Sequence, residues 1–325
     1  MWKTDLMLLS PEVLTILILN MIFVFFTTIA FILSVKIVLK WDLNSTSSLQ
    51  YSLENKSYLA ATMIKYIFAV KVPLFLFFIF TLDKLSTILT GAMCGAGVVD
   101  ATDYGNYLFV LKVINLYLFA YWIVLHNEDM KHENYPYTKM KFGVFIVAFV
   151  LLITELVLEG LMFGAIDLDE LVDCCGTIYS SSGGSYISQV LSMNSSSLLS
   201  LFYGNFFFII LFYILKKKYL FSIANVVFIV ISIISLIVFF GTYIYELPTH
   251  HCGFCFLQSE YYYVGYIIYI LLFIGTFYGL VVGLINTSEK TRLQNYNISM
   301  IFNIIYVALL SAYPISYYIK NGVWL

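Results

Sequence analysis

Residues 225–240, NVVFIVISIISLIVFF, decide the fold: one amide, two hydroxyls and no charge in the whole run. A helix on a soluble bundle keeps a polar face at the 3.6-residue period, and this run has none. A bilayer core about 30 Å thick needs about 20 mostly apolar helical residues. Read outward from 225–240 with that ruler, the chain yields eight spans, near 13–35, 62–82, 107–126, 142–164, 199–215, 219–245, 263–286 and 299–319. The expected fold is all-α: a polytopic transmembrane bundle of about eight spans, forming one integral membrane domain over residues 1–325.

Composition agrees. Hydrophobic residues make up 61% of the chain and charged residues 11%, against about 25% charged in soluble domains. A net charge of −2 removes nucleic acid as a partner, because that needs a basic face. The expected partner is the lipid bilayer. The opening MWKTDLMLLSPE lacks the basic start and small-residue cleavage site of a signal peptide.

The bias of Lys and Arg among short loops sets orientation. Opposite the N-terminus fall Lys36, Lys40, Lys56, Lys131, Lys139, Lys141, Lys216, Lys217, Lys218, Lys290 and Arg292; on the N-terminal side fall Lys3, Lys84 and Lys320. Both termini are therefore expected outside the cytoplasm, in a multi-pass protein of the cytoplasmic (inner) membrane. That topology sends all five cysteines outward. Cys94 lies in loop 83–106, Cys174 and Cys175 in loop 165–198, and Cys252 and Cys255 in loop 246–262. The same loops carry nine acidic residues (Asp83, Asp100, Asp103, Asp167, Asp169, Glu170, Asp173, Glu246 and Glu260) against Lys84. Such a surface attracts cations or a basic partner.

Three chemistries fit HHCGFC at 250–255. Extracytoplasmic cysteines commonly staple loops as disulfides, although an odd number leaves one over. A C-x-x-C pair also serves thiol exchange, and a helix N-terminus close behind Cys252 would lower its pKa. Membrane thiol oxidases pair two such couples, one facing substrate and one facing a quinone. Cys252/Cys255 and Cys174/Cys175 would play those parts in a membrane thiol-disulfide oxidoreductase. The third chemistry is metal binding. His250, His251, Cys252 and Cys255, with Cys174, Cys175, Met93 and Cys94, form a soft donor set suited to copper(I) or zinc. Haem attachment through C-x-x-C needs a following His, and Phe256 stands there.

Charges at membrane depth are costly and mark function or pairing. Lys71, Lys112, Glu155 and Glu159 lie within spans two, three and four. Glu155 and Glu159 share a face at i, i+4, so Lys71–Glu155 or Lys112–Glu159 pairs are expected. An ion or small-molecule transporter using these four groups, with cysteines as staples, is one alternative; a non-catalytic anchoring subunit of a respiratory complex is another. Segments 40–58 and 127–141 read as solvated connectors, with His126 and His132 at the surface. Asn115, Asn205, Asn225 and Asn303 read as interhelical hydrogen-bonding groups.

MCGAGV, DCCGTIY and HHCGFCFLQSEYYYVGY resemble motifs of polytopic membrane proteins from bacterial respiratory gene clusters, the NosB-type protein encoded beside nitrous oxide reductase in clade II clusters. The resemblance covers the three outer loops and the span count. It implies a role in assembling, or passing electrons to, a periplasmic copper enzyme; the expected protein partner is a periplasmic metalloprotein or cytochrome. It also implies copper as the metal and Met93, Cys94, Cys174, Cys175, His250, His251, Cys252 and Cys255 as the working positions.

Overall fold

The computed structural model describes residues 9–42, 47–168, 171–172 and 194–325. Among these residues, eight helices are long and apolar enough to cross a membrane: α1 Pro11–Lys40, α2 Ser48–Ser86, α3 Gly105–Asp129, α4 Thr138–Ala165, α5 Ser195–Ile214, α6 Lys218–Tyr245, α7 Val264–Leu284 and α8 Glu289–Asn321. Among the described residues there is no strand. Local chemistry sets the helix ends. Ser47, Asn194 and Ser288 each accept an amide N–H of the first turn, and Pro11 opens α1 where its missing N–H costs nothing. Gly322, at φ 75°, closes α8 by donating its N–H to Tyr318 O at 2.8 Å.

One expectation is corrected. Residues 48–59, read as part of a solvated connector, continue α2 as regular helix. The segment is polar and so carries no span signal, but the Ser47 cap starts the winding and the Leu, Gln, Glu and Lys interspersed in it favour helix. Pro73 and Pro314 sit inside α2 and α8 without ending them, as spans allow when neighbouring groups take over the freed carbonyl.

The chain divides into two compact units, Met1–Thr90 with Val98–Leu171, and Gly91–Gly97 with Val172–Leu325. In the first, α1 packs on α2 and α4, and α3 on α2 and α4. Phe68 anchors its core, stacked on Phe119 and set edge-on to Trp122. In the second, α7 packs on α6 and α8, and α5 on α6. Lipid tails are as apolar as the side chains, so close fit and polar contacts hold such helices together. Gly275, Gly279 and Gly283 form a stripe on α7 that supplies both. A Cβ at Gly275 would stand 2.3 Å from Asn303 Oδ1, and one at Gly279 2.3 Å from Asn225 Cγ. Asn303 Nδ2 donates to Asn225 Oδ1 at 2.9 Å, and Ser299 donates to Gly275 O at 2.7 Å. Asn225 and Asn303 thus do what was expected of them, whereas Asn205 Oδ1 has no partner.

Candidate functional site

The candidate residues that lie among the described residues gather chiefly in two clusters, one in each unit. In the first unit the four intramembrane charges meet. Lys71 Nζ lies 3.0 Å from Glu155, and Lys112 Nζ lies 2.9 Å from Glu155 and 3.1 Å from Glu159. Both expected pairs are present, joined by a third through Lys112. Amides complete the ring. Asn20 donates to Glu159 at 2.8 Å and accepts from Lys71 at 3.2 Å, and Asn115 donates to Glu155 at 2.6 Å. All six side chains are buried. Two ammonium and two carboxylate groups cancel, which is how a low-dielectric interior tolerates ions.

The second unit holds the thiols. Cys94, Cys252 and Cys255 are buried, and their three sulfurs all lie within 4.8 Å of one another. Cys94 Sγ and Cys252 Sγ approach to 3.4 Å, well beyond a covalent S–S bond of about 2.05 Å. Local winding produces this convergence. α6 contains a π turn at Leu236–Phe240 and ends at Glu246, which adopts the left-handed conformation at φ 53°. Tyr262 and Tyr263 take the same unusual conformation just before α7. Non-glycine residues adopt that geometry only at a cost, and it marks both ends of the cysteine loop.

Tyrosines fix the loop between those ends. The Tyr245 hydroxyl donates to Cys252 O and accepts the Phe256 amide at 3.1 Å, while Tyr269 donates to Gly253 O at 2.9 Å. A Cβ on Gly265 would meet the Phe256 ring at 2.4 Å and its carbonyl at 2.9 Å, so α7 begins hard against the loop. Gln258 Nε2 donates to Met93 O at 3.0 Å, tying in the segment that carries Cys94.

The expected help from a helix N-terminus does not occur. α7 starts at Val264, twelve residues beyond Cys252, and only short 3-10 turns at Cys255–Leu257 and Ser259–Tyr261 intervene. Such turns are too brief to build a dipole. Instead, the Phe254 N–H donates to Cys252 Sγ at 3.4 Å, giving that sulfur a local donor.

The other expected ligands are placed unevenly. His250 stands edge-on to Tyr245 at 4.3 Å, and its buried Nε2 has no hydrogen-bond partner. Burial lowers its pKa; Cys94 opposes that shift and His251 adds to it. The neutral imidazole so favoured is the ligating form. His251 turns its Nδ1 to Ile237 O, in the π turn, at 3.1 Å. Met93 is 67% exposed, and Cys174 and Cys175 lie outside the described residues.

No family model, curated protein or solved structure matches the chain. The functional reading therefore rests on the chemistry of the two clusters.

Sequence reasoning missed two kinds of residue. Tyr245 and Tyr269 organise the loop, yet nothing separates them from the chain's 27 tyrosines. His126, read as a surface residue, is buried and stacked on Trp122 at 5.2 Å with planes 9° apart. Its neighbours Asn127, Glu128 and Asp129 look solvated, but Glu128 and Asp129 are buried too. Asp129 is paired with Lys141 at 2.6 Å.

Proposed function

We propose that this polytopic protein handles copper as cargo at the Cys94–Cys252–Cys255 cluster, on the extracytoplasmic face of a bacterial inner membrane, for a periplasmic respiratory metalloenzyme. The observation that carries the reading is three buried thiols, drawn from two distant chain segments, within 4.8 Å. A soft ion held about 2.3 Å from each sulfur needs sulfurs roughly 3.8–4.0 Å apart, and this set closes on that size with small shifts. Thiolates select copper(I) over harder ions. His250 supplies a neutral imidazole at the edge of the cluster, and the Phe254 amide supports the Cys252 sulfur. The acidic residues of the cysteine-bearing loop itself, Glu246 and Glu260, would favour arrival of a cation. The respiratory setting and the orientation rest on the resemblance of the loop motifs and on the lysine bias.

Metal content and accessible-thiol count on one anaerobically purified sample test this reading. The expected result is near-stoichiometric copper with shielded thiols, lost in Cys252→Ser/Cys255→Ser. Copper-free protein that takes up no copper(I) on reconstitution would sink it.

The 3.4 Å approach of Cys94 and Cys252 favours a second reading, thiol–disulfide exchange with a partner protein's disulfide. One thiolate attacks it, the other resolves the mixed disulfide, and the partner leaves as a dithiol carrying the two electrons and two protons. A redox titration with a reversible two-electron Cys94–Cys252 couple, and no copper retention, would select it. The transport alternative gains less, because each of Lys71, Lys112, Glu155 and Glu159 already has an opposite charge within 3.1 Å.

A further inference from the structure

One end of the second unit carries an excess of cations. Lys216, Lys217 and Lys218 fall where α5 gives way to α6, and Lys290 and Arg292 lie in the first turn of α8. Residues 195–325 contain three acidic groups. Glu246 and Glu260 belong to the cysteine loop, at the far end of α6, which leaves Glu289 against five cations. Among the described residues none of the five has a carboxylate at ion-pairing distance. The α3–α4 connection of the first unit is built otherwise, with Lys131 paired to Glu128 at 2.7 Å and Lys141 to Asp129 at 2.6 Å.

Depth selects the anion. α5 ends at Ile214 and α6 starts at Lys218, so the lysines emerge from two apolar spans with no polar stalk between them. Their ammonium groups therefore meet the edge of the hydrocarbon, the level at which phospholipids carry their phosphates. Tyr213, Tyr219 and Tyr296 gather at the same end, as aromatic residues do at that depth.

Several contacts hold the cations in place. Lys216, left-handed at φ 53°, sets its Nζ 3.9 Å from the centre of the Tyr213 ring and 5.2 Å from that of Tyr296. The Tyr213 hydroxyl donates to Asn297 Oδ1 at 2.9 Å, which fixes the ring beneath Lys216. A cation over an aromatic face keeps N–H donors available to an anion. Arg292 stands one turn from Tyr296 on the same face of α8, so Lys216 and Arg292 neighbour one ring. Lys218 Nζ donates to Asn286 Oδ1 at 2.9 Å and ties the α5–α6 turn to the α7–α8 turn.

We propose that this end of the second unit binds the phosphate of an anionic phospholipid, with Lys216 and Arg292 as its direct cations and Lys217 and Lys290 as the surrounding field.

The test is native mass spectrometry of the full chain, released from neutral maltoside micelles and titrated with phosphatidylglycerol or phosphatidylcholine. Phosphatidylglycerol should bind saturably and at least about tenfold tighter. Lys216→Gln/Lys217→Gln should weaken it roughly 25-fold, about fivefold for each charge. Lys131→Gln/Lys139→Gln removes as much charge from the first unit and should change affinity less than about twofold. Lys290→Gln alters one exposed side chain and should cost about fivefold, so a folding failure of the first double variant leaves that arm intact. Equal affinity for the two lipids, equal losses in the two double variants, or unchanged affinity in both Lys216→Gln/Lys217→Gln and Lys290→Gln overturns the proposal. So does displacement of the lipid by inorganic phosphate at equal concentration, which would make this a site for a free anion. Copper content enters none of these readouts, so the cysteine reading and this one fail separately.

Discussion

The ionic ring of the first unit and the thiol cluster of the second solve opposite problems. Lys71, Lys112, Glu155 and Glu159 are of mixed sign, so bringing them together neutralises them, and the amides of Asn20 and Asn115 add hydrogen bonds to the carboxylates. Cys94, Cys252 and Cys255 are of one kind. Three thiols together carry no opposite charge among themselves. The first arrangement balances its charge as built, although Asn115 Oδ1 has no hydrogen-bond partner, whereas under the proposed reading the second would gain from a positive guest. A cluster of like donors is thus a better pointer to a ligand than a cluster of complementary charges, even though the charges are the costlier residues to bury.

That contrast can be broken in four ways. The largest effect belongs to Lys112→Met, which strips the cation between two buried carboxylates. It should destabilise the protein by about 3–5 kcal/mol in denaturant unfolding, and adding Glu159→Leu should recover much of the loss. A Lys112→Met protein as stable as wild type would mean that the ring is not neutralising itself. Next, Cys94→Ser removes the donor contributed by the distant segment. Copper(I) affinity, read by competition with a chromogenic chelator, should fall roughly a hundredfold, about one ligand's share of a typical site. No change would place the ion on Cys252 and Cys255 alone. Gly265→Ala drives a methyl into Phe256 and should cost about 1–3 kcal/mol, seen as faster maleimide labelling of the loop cysteines. The smallest effect is that of Tyr245→Phe, which removes two hydrogen bonds and should cost about 1–2 kcal/mol while leaving copper stoichiometry unchanged.

Legibility followed the range over which each signal acts. Spans such as 219–245 could be read to within a residue or so, because a bilayer imposes length and apolarity on contiguous residues. The Lys–Glu pairing was legible as well, since an ion inside an apolar run must find its opposite. The extension of α2 over 48–59 was not, because a polar helix beyond the membrane has no hydropathic signature. The C-x-x-C pair announced itself by spacing, yet its approach to Cys94, 158 residues away in sequence, is a property of the folded unit. The misreading of His126 came from its polar neighbours, of which Asp129 finds its partner, Lys141, on another helix.

The π turn at Leu236–Phe240 adds one residue to the winding of α6 just before the cysteine loop. Deleting a single residue there would restore ordinary α-helix and leave the winding beyond it at nearly its present facing, because the wide turn is what absorbs the extra residue. Tyr245 would keep its place beside the Cys252 carbonyl, whereas the turn that offers the Ile237 oxygen to His251 would be gone. The span would remain long enough to cross a bilayer and just as apolar. A descendant lacking that residue would therefore keep its place in the membrane while losing one anchor of its cysteine loop.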